Sequence, residues 1–208
     1  MSRLPDLDPA TLTPAQARFY QAIVTGRRGS IRGPFTPWLR SPEFAFRAQH
    51  LGAYLRFDSA LPPRLSELAI LTTARFWRAR FEWYAHAPMA RAGGLAESVI
   101  EAIRLGREPV FTAPDEAAVH AFAAQLHLRH EVSDPVWDHA LEVLGEPGVV
   151  DLIGLLGYYT LVSMTLNACR VPLPPGEPDP FPDASVEGDG GDGDGNGSGK
   201  GGAAATGA

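Results

Sequence analysis

The sequence predicts an all-α protein, and three observations carry that prediction. Ser/Thr/Asp-Pro pairs recur at Thr13-Pro14, Ser41-Pro42 and Asp134-Pro135. Proline suits the first helical turn, and the oxygen of the preceding residue can cap it. Apolar residues fall at helical spacing, as in Val119, Phe122, Ala123 and Leu126. No run of five or more residues alternates apolar and polar between hairpin signals.

Taken in order, Thr13-Pro14 opens a helix to about Gly26, and residues 27–40, rich in Gly and Pro, form a loop. Ser41-Pro42-Glu43 starts a helix to about Phe57, and Leu61-Pro62-Pro63 begins a central segment. Gly93-Gly94 ends the helix that carries His86, and a short helix over 95–105 stops at Gly106. An amphipathic helix spans 114–131. Asp134-Pro135 starts another to Leu144, and Glu146 or Pro147 leads into a long apolar helix. Three regions follow: an N-terminal helix and loop (1–40), an all-α domain (41–172) and a Pro/Gly/Asp-rich tail (173–208) expected to lack structure. Within the tail, Asp192-Gly-Asp194-Gly-Asn196-Gly197 copies the first half of a calcium loop. Position twelve is Ala203, not Glu, so the tail is expected to be solvated and not a calcium site.

Composition narrows the function. The 208 residues are 45% apolar, enough for one full core, and the net charge of −6 with no basic stripe argues against nucleic acid. A single cysteine, Cys169, permits neither an internal disulfide nor a CxxC pair, and no signal peptide is evident, so a cytoplasmic location is expected. Residues 149–168 have the length of a membrane span. Asp151, Asn167 and the Tyr158-Tyr159 pair favour a buried core helix, so no membrane partner is expected.

The chemistry gathers between Glu67 and His86, where two carboxylates and an imidazole sit in a mostly apolar stretch. Glu82 and His86 are four apart and share a helix face. Glu67 is harder to place. On one straight helix it would lie roughly 28 Å from His86, and neither Gly nor Pro interrupts the stretch from Arg64 to Ala87. A shared site requires the chain to fold back near Phe76-Trp77-Arg78-Ala79, which sequence rules do not force. Arg56, Arg75, Arg78 and Arg80 are cations in or near the same stretch. Trp83, Tyr158 and Asn167 are further candidates for the pocket. His120, His127 and His130 share a helix without a metal-binding pattern, so neither a metal nor another cofactor is expected.

Three stretches carry a family resemblance: Arg64-Leu-Ser-Glu67-Leu-Ala-Ile-Leu, Phe81-Glu82-Trp83-Tyr-Ala-His86, and the segment over 90–103. Together they resemble the carboxymuconolactone decarboxylase family, which includes the alkylhydroperoxidase-D-like proteins. The resemblance implies an all-α bundle built around a helical hairpin, which supplies the missing fold-back. It also implies a homotrimer or homohexamer acting on a small-molecule substrate. In the redox branch a Glu, a Cys-x-x-Cys and a His cooperate. On this chain the two thiol positions are Ala79 and Glu82, while Glu67 and His86 keep their places. Peroxide reduction needs an attacking and a resolving thiol. The residues therefore point to the decarboxylase side: an acid–base lyase using Glu67, His86 and Glu82 on a lactone or enolisable acid. A thiol-dependent peroxidase and a non-catalytic oligomeric binding protein are the alternatives.

Overall fold

The core is organised around one helix that is buried on nearly every side. In a computed structural model describing residues 2–181, this helix is α4 (Pro63–Phe76), whose residues from Leu65 to Ala74 are all buried. It packs against α5 (Arg80–Ala92), α6 (Glu97–Leu105), α7 (Pro114–Arg129) and α8 (Asp134–Cys169). Full burial of Leu68, Ile70 and Leu71 contributes roughly 1.5–3 kcal/mol each. Around this centre lie α1 (Pro14–Val24), the single turn α2 (Phe35–Trp38) and α3 (Pro42–Phe57), which packs on α8. The described residues contain no strand. The all-α prediction therefore holds.

Helix starts follow the sequence only in part. Thr13 forms a full capping box with Gln16. Ser41 precedes α3 but makes no side-chain cap, because its backbone (φ −127°, ψ 75°) turns away from the usual cap geometry. Asp134 is the first residue inside α8 and not its cap. There its charge meets the positive end of the helix dipole. The 27–40 loop contains the short α2, whose Phe35 and Trp38 are buried in the core.

Four of the helices end with one repeated device. At Gly94 and Gly106 the backbone turns left-handed, and two N–H groups return to the last turn: Gly94 to Arg91 and Leu95 to Ala90, then Gly106 to Ile103 and Arg107 to Ala102. The same closure ends α4, but Arg78 occupies the left-handed position at φ 47°. Its N–H donates to Arg75 O at 3.1 Å, and that of Ala79 donates to Ala74 O at 2.8 Å. The fold-back near residues 76–79 thus exists. Arg170 closes α8 in the same way at φ 52°.

Polar ties fix the helices around α4. Arg64 at its start pairs with Asp115 at 2.7 Å and with Glu116, joining α4 to α7. Asp151 of α8, 8% exposed, accepts from the Tyr54 hydroxyl at 3.0 Å and from Ala60 N–H at 2.7 Å. α8 bends at Gly145 (φ 68°, ψ 171°), so it consists of the two arms the sequence suggests. By length and composition α8 could cross a membrane. Here more than half of its apolar stretch is buried, with Leu152, Leu155 and Val162 in the bundle core.

The expected tail begins differently. Residues 173–181 return across the domain, and Phe181 is 2% exposed. Its ring packs edge-on to Trp83 at 5.3 Å and lies under Arg75 at 5.5 Å. An aromatic side chain with a core niche outweighs the Pro/Gly composition around it. The calcium-like 192–197 stretch and the rest of the tail lie outside the described residues. Phe181→Ala is expected to destabilise the domain by about 3 kcal/mol, read as a lower urea midpoint at unchanged slope. An unchanged midpoint would show that the 173–181 segment contributes no packing.

Candidate functional site

The reversal at Arg78 lays α5 antiparallel to α4, and Glu67, Glu82 and His86 meet. Glu67 lies in the second turn of α4. Glu82 stands in the first turn of α5, one turn before His86. His86 Nδ1 lies 2.7 Å from Glu67 Oε2, and Nε2 lies 2.9 Å from Glu82 Oε1. All three side chains are at most 7% exposed. Tyr159 of α8 meets the imidazole edge-on at 5.1 Å.

This environment sets the protonation state. Burial alone would lower the pKa of His86, since it disfavours the charged ring. The charges of Glu67 and Glu82, together with their hydrogen bonds, outweigh burial and raise it from 6.5 to about 9. At neutral pH the ring is an imidazolium donating an N–H to each carboxylate. Burial, then the charges of Glu82 and Glu67, hold the Tyr159 phenol well above its usual range, so it stays a neutral donor. Tyr158 is likewise pushed up to about 12, mainly by burial, against the opposing pull of Arg28.

A cavity of about 190 Å³ opens onto this group. Its floor includes Glu82, His86, Tyr158 and Tyr159, and Arg27, Arg28, Arg32 and Arg56 stand around it. Glu67 lies behind the imidazole and does not line the space. The volume is below the roughly 300–1,000 Å³ of drug-sized sites, so it suits a compact ligand. Gly52 makes room for the pocket wall, because a Cβ there would meet the Tyr158 hydroxyl at 2.1 Å.

The other candidates separate clearly. Trp83 faces away from the cavity, into the core against Phe181. Asn167 lies on a different groove, where its amide donates to Trp77 O at 2.7 Å. Of the four arginines considered, only Arg56 reaches the cavity. Arg75 faces the side of α7 and its histidines, and Arg78 and Arg80 border the Asn167 groove. His127 stacks on Phe76 and meets Thr73 Oγ1 at 2.9 Å, while His120 packs on Phe111. Cys169 closes α8 outside the cavity. Sequence reasoning missed Arg28 and Tyr159. Arg28 lies in an aperiodic loop that carries no pattern. Tyr159 was flagged only as half of a polar pair in an apolar helix.

The helical fold agrees with comparison to known proteins. Residues 42–125 match the carboxymuconolactone decarboxylase family. The match spans 84 of the 208 residues and makes this segment similar to that family. The segment supplies Arg56, Glu67, Glu82 and His86, while α8 and the 27–35 segment add the remaining cavity wall. Two solved structures share the fold. One is a protein of unknown function from Agrobacterium tumefaciens, provisionally named an antioxidant defence protein, AhpD. It superposes with a TM-score of 0.60 at 18% identity, over 69% of this chain and 99% of its own. The other is an uncharacterised peroxidase-related protein from Ralstonia eutropha JMP134, an alkylhydroperoxidase AhpD core. It gives a TM-score of 0.69 at 16% identity, over 82% of this chain and 91% of its own. No curated protein matches the chain. Of the two positions that the sequence resemblance assigns to thiols, Ala79 is wholly buried and Glu82 holds the imidazole.

The raised pKa of His86 makes stability depend on pH. Its folded value of about 9 exceeds the ordinary 6.5, so the native state holds the extra proton between these limits. The resulting stabilisation is complete below pH 6.5 and is lost as pH rises through 9. Between pH 6 and 9.5 the unfolding free energy of the wild type is expected to fall relative to His86→Gln, by on the order of 2–3 kcal/mol. Parallel pH profiles for the two proteins would contradict the charged ring.

Proposed function

We propose that this protein is an acid–base lyase of the carboxymuconolactone decarboxylase type, removing CO2 from a small lactone acid or other enolisable organic acid without a redox dithiol. The observation that carries the reading is the buried imidazolium of His86, held between Glu67 and Glu82 at the floor of a small cavity rimmed by arginines. Cleavage of the C–CO2 bond leaves its electron pair on a carbon conjugated with a carbonyl. The resulting dienolate needs charge stabilisation and a proton. The imidazolium supplies both through Nε2, the nitrogen on the cavity side, while Glu82 is positioned to guide the transfer. Glu67 keeps the Nδ1 proton and fixes the ring, so it is a positioning residue. The neutral Tyr159 phenol borders the same space and can donate to the developing oxyanion.

Assembly as a homotrimer or homohexamer belongs to the same proposal. It is supported by large apolar side chains left exposed on α8 and α3, among them Val150 at 65%, Met164 at 47% and Leu51 at 49%. The lone Cys169, without a disulfide partner, fits a cytoplasmic setting.

The test is CO2 release from a panel of carboxylated lactones. His86→Ala is expected to lower turnover by about 100-fold or more, and Glu67→Gln by about tenfold. Turnover that survives both substitutions would refute the assigned roles. Peroxide consumption that disappears in Cys169→Ser would replace this reading with the thiol peroxidase. Ligands bound and released unchanged would replace it with a binding protein.

A further inference from the structure

Six of the residues that line the cavity with His86 belong to 27–35, which precede the family-matched segment. Three guanidinium groups gather there around the single ring of Phe57. Arg27 lies 4.7 Å from its centroid, Arg56 5.2 Å and Arg28 5.9 Å. Arg28 also lies 4.8 Å from the Phe35 ring, so two aromatic faces hold it in place. Like charges collected at one ring repel each other, and aromatic contacts offset only part of that repulsion.

The local supply of anions does not match these cations. Arg27 is paired with Asp58 at 3.2 Å. Among the described residues no carboxylate pairs with Arg28 or Arg56, and Arg56 Nη2 donates only to Met89 Sδ, a weak acceptor, at 2.7 Å. The Nε and Nη2 atoms of Arg28 are buried without any hydrogen-bond partner. Buried polar groups in native proteins almost always have partners, so an unmet pair calls for one. These two nitrogens form the side-on edge of the guanidinium, whose two parallel N–H groups match the two oxygens of a carboxylate.

We propose that Arg28 is the specificity-determining residue of the cavity and grips a carboxylate of the ligand in bidentate fashion, with Arg56 beside it. The inference rests on the cavity above His86 being the ligand site of the proposed lyase. The recognising group comes from the stretch that precedes the family-matched segment, while the proton-handling group comes from that segment itself. A planar carboxylate matches the unpartnered edge of Arg28, and the 190 Å³ volume limits the ligand to a compact organic anion.

The test is calorimetric binding with three probes: malonate, its uncharged diamide malonamide, and inorganic phosphate. The wild type is expected to bind malonate and not malonamide. Arg28→Gln should weaken malonate binding about tenfold or more. Arg28→Lys should weaken it nearly as much, because it keeps the charge but loses the fork. Arg80→Gln, which removes the same charge outside the cavity, should leave binding unchanged. Circular dichroism and unfolding midpoints confirm that each variant is folded, and the lysine variant carries the test if the glutamine variant is not. The proposal is overturned if the wild type binds no malonate, if Arg28 variants bind it normally, or if malonamide binds equally well. Phosphate binding as tight as malonate would reassign the site to inorganic oxyanions and overturn the carboxylate claim. Binding is read without turnover, so the two proposals can fail separately. Arg28-dependent malonate binding with no CO2 release from any lactone rejects the lyase alone. CO2 release equal in wild type and Arg28→Gln rejects only the role of Arg28.

Discussion

The left-handed backbone of Arg78 turns α5 back along α4, and the contact between Glu67 and His86 exists because of that turn. The nineteen-residue separation would otherwise stretch along a rod. Arginine pays a steric cost at positive φ that glycine would avoid. The two backbone hydrogen bonds of the turn and the complete burial of Ala79 offset it. A local backbone conformation therefore decides a distance at the site, and through it a protonation state.

Electrostatics extend the consequence of that turn. A buried imidazolium between two buried carboxylates still carries a net negative charge, and isolated buried charge is unfavourable. The chain as a whole is acidic at −6, yet four arginines line the cavity beside this group. The floor and rim are complementary: the carboxylates keep the imidazole charged, and the guanidinium groups draw an anion toward it. Their separation in the sequence reflects different structural demands. The floor needs a rigid helix pair to hold angstrom distances. The rim needs a loop held by Phe35 and Phe57, on which long side chains can turn inward.

Much of the fold was legible because helix starts and periodic faces are local properties. Thr13-Pro14, Ser41-Pro42 and Gly106 mark boundaries within a few residues. Where glycine occupies the left-handed closing position, as at Gly94 and Gly106, the stop could be read. Where arginine occupies it, the turn residue itself gives no signal: the turn at Arg78 came only with the family resemblance, and the end of α8 at Arg170 is marked instead by the Pro-rich stretch that starts at Pro172. The core of the candidate site was legible for a similar reason: Glu82 and His86 are helical neighbours, and Glu67 follows once the hairpin is accepted. Asn167 looked like a pocket residue because it is polar in an apolar helix, but its partner is the Trp77 carbonyl. Phe181 and Arg28 were invisible because each acts through distant contacts from segments whose composition suggests loop or tail.

The division of the cavity between matched and unmatched segments bears on how knowledge passes between homologues. Two sequences alike over 42–125 would inherit the same proton-handling apparatus. The molecule admitted to it would be chosen by stretches that alignment of that domain never compares. Sorting such sequences by the residue aligned with position 28 would group them by diet, where the shared domain groups them only by chemistry.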